Sequence, residues 1–138
     1  NQGNVQKTNI TFKRDGTSVG YIDTTNSATL FVTSSDYRLK ENVIVMSGSV
    51  DRLKLLKPVR FNFIIDPDAT VVDGFLAHEA QTVVPEAVSG EKDAVDDDGE
   101  IISQGIDQAK LVPLLVGALQ ESIAKIEALE ARVLALEG

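Results

Sequence analysis

Nine apolar residues near the end of the chain, Leu111, Leu114, Leu115, Leu119, Ile123, Ile126, Leu129, Val133 and Leu136, fall on one stripe of a helix whose N-cap is Asp107. From Leu119 onward the steps are 4, 3, 3, 4 and 3, which average close to the coiled-coil period. Pro113 is tolerated only in the early turns, so it either marks the start of the helix or kinks its first part. Roughly thirty residues rising about 1.5 Å each give a rod of about 45 Å, longer than a small core requires. Between Leu111 and Leu119, packing on the chain's own core accounts for the stripe. Past Ile123 the run from Ala124 to Glu137 is rich in Ala, Leu, Glu and Lys, and it favours self-association with a copy number that the spacing leaves open.

A chain of 138 residues that is 43% hydrophobic can build one modest core plus an appendage. It has no cysteine, which removes disulfides and thiolate metal sites, and its single histidine argues against a histidine-rich metal centre. No metal or other cofactor is expected. A net charge of -8 opposes nucleic-acid binding, which needs Lys and Arg to neutralise phosphates. No apolar run reaches the roughly 18 to 20 residues of a membrane span, and the polar start Asn1-Gln2-Gly3-Asn4 does not resemble a signal peptide. The expectation is a soluble chain made in a cytoplasm, as a piece of something longer.

Residues 1–34 read as β-structure. Asn9 to Lys13 alternates, Asp15-Gly16 is a turn signal, and Val19 to Thr24 and Ala28 to Val32 supply two more strands. Strands this short and polar bury too little to stand alone, so they either pack on the next domain or intertwine with copies of themselves. Asn9-Ile10-Thr11 also fits a glycosylation sequon, a tripeptide too frequent to carry weight.

The central residues, 35–106, mix short helices and strands. Val50 to Leu56 suits an amphipathic helix stopped before Pro58, and Val59 to Ile65 reads as a strand ended by Asp66-Pro67-Asp68. Asp73-Gly74 opens a further element, in which Phe75-Leu76-Ala77 is a strand running into a short helix broken before Pro85. Ala94-Val95 and Ile101-Ile102 flank the acidic turn from Asp96 to Glu100, a predicted hairpin. Aligning Gly99 with the sixth position of a calcium loop leaves Ala94 and Gly105 at the first and twelfth, so the two decisive ligands are missing and a solvated hairpin tip is the better reading.

The run Thr33-Ser34-Ser35-Asp36-Tyr37-Arg38-Leu39-Lys40-Glu41-Asn42-Val43 carries the chemistry. A serine hydroxyl needs a base to act as a nucleophile near neutral pH, and a lysine serves when its surroundings keep it uncharged. On spacing alone, Ser35 capping a helix and Lys40 as a solvated surface charge are the better explanation of the pair. This run, with Leu56 to Phe63, Asp73 to Gln81 and Val84 to Val88 following in order, resembles the C-terminal intramolecular chaperone domain of phage endosialidases, tail fibres or tailspikes, and neck appendages, a self-cleaving serine peptidase. The resemblance covers Ser35 to the C-terminus, and residues 1–34 lie outside it.

What the resemblance implies is an α+β protein in three parts. Residues 1–34 form the end of a trimeric β-stalk, 35–106 a small mixed peptidase core, and 107–138 a helix building a trimeric coiled coil. It implies Ser35 as nucleophile and Lys40 as general base, with cleavage between Ser34 and Ser35. Asp36, Asn42, His78, Glu79 and Gln81 are supporting residues. Asp36 caps the segment or orients the site, Arg38 pairs with a carboxylate, and Asn42 donates to the oxyanion or ties down a loop. His78 helps activate water or orient an ester, or is a structural histidine.

On a regular helix Lys40 would stand about 140° around from Ser35. Either Ser35 is extended with the lysine folding back, or the lysine comes from a neighbouring chain, in which case cleavage reports assembly. The expected partners are two further copies of the chain and the fibre segment upstream, with neither nucleic acid nor membrane. The expected place of action is the phage virion, after assembly in the bacterial cytoplasm. The alternative function is a permanent trimerisation or receptor-binding tip that is never cut. A protease acting on other proteins needs a substrate cleft that the sequence does not announce.

Overall fold

A computed structural model describes residues 6–137, so the polar start at Asn1 to Asn4 lies outside the described residues. The protein is mixed α+β, with short antiparallel strands and one long C-terminal helix. It divides into two compact units, the first ending at Ile44 and the second beginning at Val45.

The first unit is a three-stranded meander of β1 (Lys7–Arg14), β2 (Thr17–Thr24) and β3 (Thr29–Thr33), in that spatial order. Asp15 and Gly16 both take positive φ, 48° and 80°, the backbone a tight hairpin demands. Ile10 lies opposite Ile22 and Ile22 opposite Phe31, which sets one apolar row on one face of the sheet. Phe12 lies opposite Gly20, and a Cβ on Gly20 would come 2.7 Å from the carbonyl oxygen of Val32, so only glycine lets β2 and β3 approach there. Within β2 only Gly20 and Asp23 are buried, and Asp23 receives the side-chain amide of Gln6.

The second unit contains the apolar core. Its elements are α1 (Ser49–Leu53), β4 (Val59–Phe61), β5 (Val72–Gly74), α2 (Ala77–Gln81), β6 (Val88–Ser89), β7 (Gly105–Ile106) and α3 (Val112–Glu137). β4 pairs with β5 and β6 with β7, both antiparallel. Leu56, Ala80, Val83, Val84, Ala87, Leu111 and Leu114 are buried together, flanked by Leu53, Phe75, Val88 and Ile106.

The strand expected over 59–65 stops at Phe61. Asp66 ends it by accepting the amides of Asp68 and Thr70, at 3.0 and 2.9 Å, while its own N–H donates to Phe63. Ile64 and Ile65 are left outside, fully exposed. The expected strand over Phe75-Leu76-Ala77 likewise ends earlier, at Gly74, and Leu76 is the extended N-cap of α2. The helix expected over 50–56 is regular only over Ser49–Leu53 and continues as single turns that bury Leu56. β6 and β7 were not anticipated; two residues per strand give no alternation to read.

Asp107 is an N-cap, accepting the N–H of Ala109 at 3.0 Å, but of a single 3-10 turn over Gln108–Leu111. The α-helix proper opens at Val112 with Pro113 as its second residue, so the proline marks the start rather than a kink. Along α3, Leu114 and Ala118 are buried. Gly117 faces α1 so closely that a Cβ there would meet Ser49 Oγ at 2.5 Å and its Cβ at 3.1 Å. Four residues on, the Glu121 carboxylate accepts the N–H groups of Ser49 and Val50, at 2.8 and 3.0 Å, and so caps α1 from 72 residues away.

Val95 and Ile101 form a β-bridge, and Ile102 N–H donates to Ala94, as the hairpin reading requires. At its tip, Asp96 Oδ1 accepts the amides of Asp98 and Glu100, so this carboxylate is spent on turn geometry.

Candidate active site

The candidate site follows β3 directly. Ser34 N–H donates to the carbonyl oxygen of Val19 at 3.2 Å, and its hydroxyl donates to the backbone carbonyl oxygen of Ser18 at 3.4 Å, so the residue before Ser35 is fastened to β2. Asp36 is extended, with φ -63° and ψ 133°, and its side chain caps a 3-10 turn over Tyr37–Leu39. Lys40 is extended again, with φ -123° and ψ 140°, its own N–H bonded to Tyr37.

One tight turn between two extended residues reverses the chain enough for a long side chain to reach back. Lys40 Nζ lies 2.7 Å from Ser35 Oγ. That separation suits proton transfer between hydroxyl and amine. Within this single chain the lysine side chain folds back onto the serine. Ser35 and Lys40 are both exposed.

Asp36 and Arg38 form a fork. Arg38 Nη2 is 2.6 Å from Asp36 Oδ2, Arg38 Nε is 3.0 Å from Oδ1, and the Arg38 backbone N–H donates to Oδ1 at 2.9 Å. The Arg38 side chain, and after it the Arg38 N–H, holds the Asp36 carboxyl below the usual carboxylate range, and the charge of Lys40 acts in the same direction. Asp36 thus caps the turn and Arg38 pairs with a carboxylate. Asn42, just past the turn, takes φ 52°, a left-handed backbone that asparagine tolerates well.

The other expected site residues sit on α2, in the second unit, whereas Ser35, Lys40, Asp36 and Asn42 belong to the first. His78 lines a groove of about 290 Å³ beneath the acidic hairpin, with Lys92, Asp93, Val95 and Ile101. Glu79 pairs with Lys57 at 3.1 Å, and Gln81 accepts the amide of Gln104 at 3.2 Å. Both side chains are used to tie α2 to neighbouring segments. Among the described residues no group of three or more His, Cys, Asp or Glu is arranged to hold a metal ion, and no helix is long and apolar enough to cross a membrane.

Two features escaped the sequence reading. The Asp36–Arg38 spacing of two residues was visible, but not that both carboxylate oxygens would be engaged. Glu121 gave no signal at all, because its partners are backbone amides far away in sequence.

Residues 35–89 match a family model described as chaperone of endosialidase, a peptidase family. The match begins at Ser35 and ends at Ser89, so it takes in the four ordered motifs except Thr33 and Ser34 and leaves out the acidic hairpin and α3. No curated protein matches the chain.

Proposed function

We propose that this chain assists the folding of a phage fibre upstream of it and then cuts itself free before Ser35, a reading supported by the match of residues 35–89 to the chaperone-of-endosialidase peptidase family. The observation that carries this reading is the 2.7 Å contact between Lys40 Nζ and Ser35 Oγ, at the residue where the family match opens.

In the proposed reaction Lys40, in its uncharged form, takes the proton of the Ser35 hydroxyl as Oγ attacks the carbonyl carbon of Ser34. The resulting five-membered ring opens by breaking the bond to the Ser35 nitrogen, which takes up a proton and becomes a free amine. The acyl group now rests on Ser35 Oγ as an ester. Water hydrolyses that ester, leaving a carboxylate on Ser34 and the hydroxyl on Ser35. The hydrogen bond from Ser34 N–H to β2 supports this reading, because it steadies the acyl side of the bond while the serine turns on it. The event happens once per chain and needs no external substrate.

The chaperone part of the proposal rests on three copies held together by the exposed stripe of α3, from Leu119 through Ile126, Leu129 and Val133 to Leu136. Three chains joined at one end start an intertwined β-fibre in register, at lower entropic cost than three separate chains meeting. After cutting, the fibre keeps its form kinetically, since the helper is no longer attached to assist the reverse path. The fibre then remains with the virion and the cut part leaves.

Intact mass, read on freshly expressed protein beside Ser35→Ala and Lys40→Ala, tests the reading. The expected result is a fragment beginning at Ser35 from the parent and whole chains from both variants. Three whole chains, assembled as trimers, would instead establish a permanent trimerisation tip.

A further inference from the structure

Arg38 takes no part in the steps above, yet it engages both oxygens of Asp36, at 2.6 and 3.0 Å. Asp36 stands four residues before Lys40, close enough for the two charges to feel each other. That neighbour is a difficulty for a lysine base. An unpaired carboxylate that turned toward the amine would favour the charged ammonium, which cannot accept the serine proton, and would compete with Ser35 for the same nitrogen.

We propose that Arg38 is a positioning residue that acts by occupying Asp36, so that the carboxylate which caps the turn is kept away from Lys40 and the amine stays on Ser35 Oγ. The inference rests on the reading of Lys40 as the base. The turn needs a capping acceptor at Asp36, because the Arg38 N–H has no intrahelical partner of its own. An acidic cap brings a negative charge beside the base, and the guanidinium fork two residues on satisfies it in a geometry that a point charge does not reproduce.

The other titratable or charged groups on this stretch are Tyr37 and Glu41. Among the described residues of β1, β2 and β3, no charged side chain bonds to Asp36, Arg38 or Lys40. The balance is therefore set within the turn.

The test measures self-cleavage of the full chain by intact mass, between about pH 6 and pH 10, a span chosen to bracket a lysine acting as base. The proteins are the parent, Arg38→Gln, Arg38→Lys, the double variant Asp36→Asn with Arg38→Gln, and Lys40→Ala. Arg38→Gln is expected to slow cleavage about tenfold near neutral pH and to move the midpoint of the rate profile up by about one unit. The double variant is expected to recover most of the rate and bring the midpoint back, since asparagine still caps the turn but carries no charge. Arg38→Lys, which keeps the charge and loses the fork, should fall between parent and Arg38→Gln.

An Arg38→Gln protein slowed equally at every pH, or a double variant as slow as Arg38→Gln, overturns the proposal and leaves Arg38 a structural pair. In either case a silent Lys40→Ala would preserve the dyad itself. A Lys40→Ala protein that still cleaves removes the base and this inference together.

Discussion

The two units differ in what holds them. The second has a core, with Leu114, Val84, Ala80 and Ala87 all at or below 2% exposure. The first has a well-hydrogen-bonded sheet whose apolar row is open, Ile10 at 50% and Phe31 at 81% exposure. Backbone pairing alone stabilises little in water, because each bond replaces one to solvent. Two or three strands become independently stable only when a face is covered. The sheet is therefore a shape waiting for cover, while the second unit supplies its own. The same contrast runs along α3, whose first turns enter the core and whose later stripe stays exposed.

The largest break in that contrast should come from charging the exposed stripe. Ile126→Glu with Leu129→Glu is expected to abolish association of the full chain, read as molar mass by light scattering, while far-UV circular dichroism keeps the strand signal and most of the helix. Next comes the core. Leu114→Ala should cost about 2 to 5 kcal/mol in urea unfolding, the usual range for a buried leucine, whereas Phe31→Ala should cost under about 0.5 kcal/mol in the unassembled chain, as exposed substitutions do. A larger cost for Phe31→Ala on assembly would show that the sheet face is covered there.

Gly117→Ala probes the seam between α1 and α3. Alanine gains about 1 kcal/mol of helix propensity, but its Cβ would sit 2.5 Å from Ser49 Oγ, with buried Ser49 unable to retreat. Overpacking of this kind costs about 1 to 3 kcal/mol, so a net loss of stability is expected in the same urea titration.

Glu121→Gln should give the smallest effect, and one that depends on pH. The N–H of Val50, then that of Ser49, holds the Glu121 carboxyl below its ordinary value. A carboxyl depressed in the folded state adds stability above its unfolded pKa and loses it as pH falls through the lower folded one. The parent should therefore be the more stable protein at neutral pH, and the gap in thermal midpoint should close as the solution is acidified below the ordinary glutamate range. A gap unchanged with pH would mean that the cap contributes through shape rather than charge.

Much of this was legible because it is local. Asp15-Gly16 announces its hairpin, Pro113 announces where an α-helix can begin, and the acidic turn at Asp96 shows its own capping chemistry. The Ser35 and Lys40 pair was legible as residue types in a recognisable order of motifs. The span of β4 was not, since Phe63-Ile64-Ile65 reads as strand by composition and Asp66 ends it by a side-chain capping choice. β6 and β7 were hidden by their brevity.

The sequence by itself determined the apolar periodicity of the C-terminal helix and the turns at Asp15-Gly16 and Asp96 to Glu100, all set within a few residues by backbone sterics and side-chain chemistry. Only the three-dimensional structure decided that Glu121 caps α1, that Gly117 must be small, and that both oxygens of Asp36 go to Arg38. Those outcomes depend on which groups meet in space. Competition for a hydrogen-bond partner is settled by distance and direction, which residue order does not specify.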